Sequence, residues 1–207
     1  MSSDDWFRRS TWTEADREDF NARLKRSRGS GNKAQYLRIQ ALHLAQAGQH
    51  EGAIELLIRM IADFPEQMQL AQVHAQKADS LAKSGHIDAA IVEYREALQT
   101  ERDFPNVRTL AWLDFGWLVV EKQLIDFYGE ALQVLQEFRD EQSLKFPDIE
   151  YRYSVIQSLL ADARGEKALS REFAKQALTE GAKVHSGCVI IQRSGLLALN
   201  AARLKND

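Results

Sequence analysis

Three glycines restrict what this chain can fold into. Gly48, Gly85 and Gly165 each follow a stretch with helical periodicity, and a glycine just past the last apolar position stops a helix. Five residues after each stands a small side chain, Ala53, Ala90 and Ser170. Four further on come Leu57, Tyr94 and Ala174, then Met60, Ala97 and Ala177, followed by Ile61, Leu98 and Leu178. Small residues let paired helices approach closely, and larger ones fill the groove between neighbouring hairpins. A pattern returning at this period describes a stack of αα-hairpins, each covering the next. Phe64-Pro65, Phe104-Pro105 and Phe146-Pro147 are expected to close hairpins, because proline cannot continue a helix.

The expected helices are 14–27, 33–48, 50–63, 67–84, 87–102, 107–122, 128–143, 149–163 and 166–179. Thr13 with Asp16 reads as a capping pair for the first. Arg28 to Asn32 reads as a flexible break, since Gly-Ser-Gly-Asn-Lys lacks the spacing of a phosphate loop. Three segments follow. Residues 1–32 hold an aromatic arm, an N-terminal helix and a Gly/Ser turn. Residues 33–180 hold the repeats, and 181–207 form a C-terminal capping segment opening with a loop at 181–187. Extended structure at 188–192 fits its β-branched residues. Trp6, Phe7 and Trp12 read as anchors pinning the arm to the body, or as a hook for a partner.

Composition narrows the class. Of 207 residues 44% are apolar and 28% charged, with three prolines, so one soluble domain with a sizeable core is expected. A net charge of −3 makes neither nucleic acid nor an anionic membrane the default partner. Cys188 stands alone, which suits a reducing compartment. The first residues lack the apolar core of a secretory signal, and no apolar run reaches a membrane-spanning length. A cytoplasmic location without a membrane span is the expectation.

These residues resemble the tetratricopeptide repeat family. The best match is 71–102, with Gly85, Ala90, Tyr94, Ala97 and Leu98 in place. Trp112, Phe115, Gly116 and Val119 are similar to the family's Trp-x-x-Leu-Gly-x-x-Tyr. About three extra residues precede Ala131, so the turn at 124–128 should be irregular. The arm with 35–41 also resembles uncharacterised bacterial tetratricopeptide-like proteins, a similarity that brings no mechanism. The resemblance implies an all-α fold, a right-handed superhelical stack of about four hairpins whose first helices line a concave groove. Transferred residue by residue, that groove takes Gln35, Arg38 and Leu42 from the first repeat. The second gives Gln72, Gln76, Asp79 and Lys83, the third Leu113, Asp114, Trp117 and Glu121, and the fourth Arg152. Some relatives grip a peptide's carboxylate with a clamp of Lys, Asn, Asn, Lys and Arg. The positions here read Arg38, Leu42, Gln76, Leu110 and Asp114, and Asp114 would repel a carboxylate. Trp117 suits an aromatic anchor in the groove or burial between hairpins.

Catalysis is not expected. His185 and Cys188 form the only cluster of soft ligands, and two ligands do not make a zinc site. The paired carboxylates lie in charged stretches, and no nucleophile-elbow, metalloprotease or dinucleotide motif occurs. No cofactor or metal is expected. The leading expectation is a scaffold that binds a protein or peptide. A second rests on Arg23, Lys25, Arg26, Arg28, Lys33 and Arg38, six cations within 23–38 without an anion, which could meet nucleic acid. A third is a self-associating module, a homodimer formed through the arm or the C-terminal apolar segment. An immunity-type inhibitor of a toxin is a special case of the first.

Overall fold

In the computed structural model, which describes residues 5–140 and 146–183, the glycine stops become a repeated helix cap. Helices α2 (Ser30–Gln46), α4 (Gln67–Lys83) and α8 (Pro147–Ala163) end just before Gly48, Gly85 and Gly165. These glycines have φ of 78°, 87° and 79°, the left-handed region where a Cβ is strained. The next N–H then reaches back five residues. Gln49 donates to the Leu44 carbonyl at 2.8 Å, His86 to Leu81 at 2.9 Å and Glu166 to Ala161 at 3.0 Å. This bond satisfies carbonyls that the helix end would otherwise leave open. α6 (Ala111–Glu121) ends in the same way, with Leu124 donating to Val119 at 2.9 Å. There the left-handed residue is Gln123, at φ 54°. The third hairpin keeps the cap without the glycine.

The partner helices are α3 (His50–Asp63), α5 (Ile87–Asp103), α7 (Tyr128–Asp140) and α9 (Lys167–Lys183), and α1 (Glu14–Arg26) precedes them. The described residues are thus nine α-helices and short 3-10 turns, with no strand. The small positions pack as expected: Ala53, Ala90 and Ala131 are fully buried. Ala131 arrives three positions late because a 3-10 turn, Ile125–Phe127, takes up the extra residues. Leu178 differs from its counterparts and is half exposed.

The chain divides into two compact units, Met1–Ala111 and Trp112–Asp207. In the first, α2 packs on α3, α3 on α4, and α4 on α5. Phe20, Leu24, Leu37, Leu44, Leu56, Leu57 and Met60 lie in one core cluster, and each such burial contributes about 1.5–3 kcal/mol. In the second, α8 packs on α9, and Gly116 of α6 lies against Leu135 and Ile156.

The arm is packed. Trp6 stacks at 5.3 Å from Phe20 and 4.9 Å from Tyr36, and Phe7 lies 4.7 Å from Tyr36. The buried Gln40 amide holds the arm's backbone, accepting from the Arg9 N–H at 3.0 Å and donating to its carbonyl at 2.8 Å. Arg9 also pairs with Asp16 at 2.8 Å and with Asp19. The Thr13 cap forms as expected: Asp16 N–H donates to Thr13 Oγ1 at 3.3 Å, and Thr13 N–H to Asp16 Oδ2 at 3.0 Å. That backbone bond leads the interactions that hold the Asp16 carboxyl well below the usual carboxylate range.

Four local expectations need correction. α2 begins at Ser30, so the break is shorter than 28–32. Gly29 (φ 80°) makes the turn, and the Ser30 hydroxyl donates to Glu66 at 3.0 Å. α6 begins at Ala111 and not at 107, because the Thr109 hydroxyl caps it, accepting from Ala111 N–H at 3.0 Å while donating to the buried Glu101. Phe146-Pro147 starts α8 as its N-cap and first residue, two positions before the expected 149. α9 continues through Gly181, where a loop was expected, because the missing Cβ lets it lie on Tyr151. The expectations for 184–207, including His185 and Cys188, lie outside the described residues.

Candidate functional site

The residues expected to line a groove fall into two groups, one in each unit. In the first unit they sit on α2 and α4. Leu42 projects from α2 and is 36% exposed. Gln76, Asp79 and Lys83 recur on α4 at helical spacing, which places them on one face. Together with Ala41, Ala45, Gln46, Leu57 and Ser80 these four line a cavity of about 80 Å³. Its floor is aliphatic and its α4 side is polar.

The polar groups there are not equivalent. Asp79 accepts from the Tyr94 hydroxyl of α5, which fixes the carboxylate. Lys83 is exposed. Gln76 Oε1 and Ser80 Oγ are buried and have no hydrogen-bond partner. Buried polar atoms are usually paired, so two open ones beside a cavity mark a place for a ligand or water. His50, at the start of α3, also has a buried Nδ1 without a partner. Burial, followed by repulsion from Lys83, lowers its pKa below the ordinary 6.5.

Arg38 lies on the same pair of helices but is engaged. Its Nε donates to Gln69 of α4 at 3.1 Å, tying α2 to α4. Burial alone pulls its pKa down. Gln35 and Gln72 are exposed and are not among the residues lining the cavity.

On the side of α4 that faces α5 stands a polar cluster with no counterpart among the sequence expectations. Glu93 accepts from Lys77 Nζ at 2.7 Å and lies 2.8 Å from His74 Nδ1, all three being 13–17% exposed. Burial alone would raise the Glu93 carboxyl, but the bonds and charges of His74 and Lys77 outweigh it and lower the pKa.

In the second unit Arg152 donates to Asp114 at 2.6 Å, and its guanidinium lies 5.4 Å from the centre of the Trp117 ring. Trp117 is partly buried and packs against the cluster of Tyr151, Val155 and Ala177. It is therefore neither a free anchor nor a core residue. Glu121 is exposed, whereas Leu113, expected on the groove, is fully buried in the core.

The cationic segment 23–38 is largely spoken for. Arg23 pairs with Asp19 at 3.0 Å, Arg26 donates to the Ala22 carbonyl at 3.2 Å, and Lys33 lies over the Phe64 ring. With Arg38 bound to Gln69, Lys25 and Arg28 are the members for which no such contact is seen. Among the described residues no group of three His, Cys, Asp or Glu side chains could hold a metal ion. No helix there is long and apolar enough to cross a membrane.

Leu42, Gln76, Asp79 and Lys83, which line the cavity, are among the residues the family resemblance implies for a groove, whereas Ser80, Gln46, Gln40 and Gln69 are not. Ser80 follows Gln76 by one helical turn, the spacing that puts both on one face. Comparison of the chain with protein-family models, with curated proteins and with solved structures gave no match.

Proposed function

We propose that this chain is a non-catalytic helical-repeat module that binds a peptide segment of a partner protein, with α2 and α4 forming the binding face. The observation that carries this reading is the cavity lined by Leu42, Gln76, Asp79, Ser80 and Lys83, in which Gln76 Oε1 and Ser80 Oγ are buried without a hydrogen-bond partner. It is too small for a metabolite, whose pockets run to about 300–1,000 Å³. It has the dimensions of one side chain in a longer ligand. The tetratricopeptide-like resemblance supports the same face, because first helices line the groove in that family. The right-handed superhelical arrangement of the hairpins and a cytoplasmic site of action belong to this proposal. The lone Cys188 suits such a compartment.

The Gln40 amide already binds backbone on this scaffold. It engages both the N–H and the carbonyl of Arg9, which is how an amide side chain would read an extended peptide. The nucleic-acid reading loses support because most of the cations at 23–38 are engaged.

The test is selection from a random peptide display library on the intact chain, repeated with Leu42→Glu and Lys83→Glu. Peptides retained by the parent and lost by both variants are expected. Peptides that bind both variants as well as the parent would place the site elsewhere, and a chain that enriches none would overturn the reading.

A further inference from the structure

We propose that the cavity between α2 and α4 is a subsite for a neutral carboxamide, the side chain of an asparagine or glutamine in the bound peptide. This deepens the peptide-binding reading and rests on it.

Charge comes first. The lining holds one anion, Asp79, and one cation, Lys83, both on α4 and one helical turn apart. A carboxylate entering would meet Asp79 and an ammonium would meet Lys83, so neither sign is favoured. A neutral group that both donates and accepts satisfies both walls.

Hydrogen-bond capacity comes next. Gln76 Oε1 is an acceptor with no donor, which calls for an N–H or O–H from the ligand. Ser80, 1% exposed, has a hydroxyl with no partner that can donate or accept. Asp79 already accepts from Tyr94, which holds its carboxylate still. The Lys83 ammonium can cover an outward-facing carbonyl. A primary carboxamide supplies two N–H donors and one acceptor from a single planar group, matching this set.

Size agrees. At roughly 10–15 Å³ of accessible volume per water, the cavity of about 80 Å³ has room for several waters, and so for a group of about four heavy atoms, a carboxamide with its adjoining carbon. Ala41, Ala45 and Leu57 give the aliphatic stem an apolar wall. Leaving such a site without its ligand group strands buried polar atoms, and that is what creates discrimination.

The experiment titrates the intact, isotope-labelled chain with four capped single residues, the N-acetyl methylamides of glutamine, glutamate, lysine and alanine, followed by amide and side-chain NMR shifts. The glutamine probe is expected to shift Gln76, Asp79, Ser80 and Lys83 saturably, and the other three much less. Ser80→Ala and Gln76→Leu are each expected to weaken the glutamine probe by about fivefold to tenfold. Equal response to the alanine probe would show backbone recognition only, and a stronger response to glutamate or lysine would assign the subsite to a charged group. No shift at these residues with any probe would make the cavity a water site. Each of these overturns the carboxamide assignment, while peptides selected on the same face and lost with Leu42→Glu would leave the broader reading standing.

Discussion

The Trp12 indole lies against the bare Cα of Gly52. A Cβ built on Gly52 would come within 2.6 Å of Trp12 Cδ1 and 3.0 Å of Cγ. Gly52 is therefore a contact surface for the arm in the first turn of α3.

Gly52→Ala is expected to lower stability by about 1–3 kcal/mol, because the ring must be displaced and overpacking is costly. The same substitution in a Trp12→Ala background should gain up to about 1 kcal/mol from helix propensity. Urea unfolding of the four proteins checks both signs. Equal effects of Gly52→Ala in the two backgrounds would show that the ring does not determine the cost.

Gln123 occupies the left-handed cap position that glycine holds in the other hairpins. Gln123→Gly is expected to stabilise by about 0.5–1 kcal/mol, and Gly85→Ala to destabilise by about 1 kcal/mol. No atom lies within 4 Å of a Cβ at Gly85, so that cost would be backbone strain alone. A shift in the urea midpoint with unchanged slope is the measurement.

Two groups should make the fold acid-sensitive in separate windows. His50 titrates below its ordinary 6.5 in the folded chain, so the unfolded chain binds more protons as pH drops past 6.5. Its contribution is complete above 6.5 and is lost as pH falls through the folded value. Glu93, lowered from 4.5, follows the same rule in a more acidic window, complete above 4.5 and lost below. His50→Gln should flatten the stability profile immediately below pH 6.5. Glu93→Gln should leave that slope and reduce the one below about pH 4.5.

Arg139 donates to both oxygens of Glu150, at 2.5 and 2.6 Å, and so joins α7 to α8. The Glu150 side chain is 7% exposed. Arg139→Ala is expected to cost about 2–4 kcal/mol by stranding that carboxylate, and Arg139→Lys to recover only part, since an ammonium cannot make the paired contact. Thermal and urea unfolding measure it; full rescue by lysine would show that charge alone suffices.

How much of this could be read in the sequence follows from where each determinant lies. Caps made by one residue and its neighbours were legible: Gly48, Gly85 and Gly165, the Thr13–Asp16 pair, and helix α3 with both ends. Features set by a residue on another helix were not. Thr109 starts α6 late because it bonds Glu101 of α5, and Gly181 stays helical because Tyr151 of α8 lies over it. The site divides in the same way. Transfer from the resembled repeat named Leu42, Gln76, Asp79 and Lys83, which line one cavity, but it gave no sign that Arg38 is bound by Gln69 or that Leu113 is core. Ser80 carries no signal as a serine; only the enclosure around its hydroxyl makes it informative.

The cap on α6 closes before the extra residues of the third turn begin. The bond from Leu124 to Val119 is complete, and only then does the chain enter the 3-10 turn that leads to α7. Length in this turn is thereby insulated from the register of the helix before it. The turn is a natural graft point: a foreign loop placed at Ile125–Phe127 can be lengthened or exchanged while the preceding hairpin half keeps its termination.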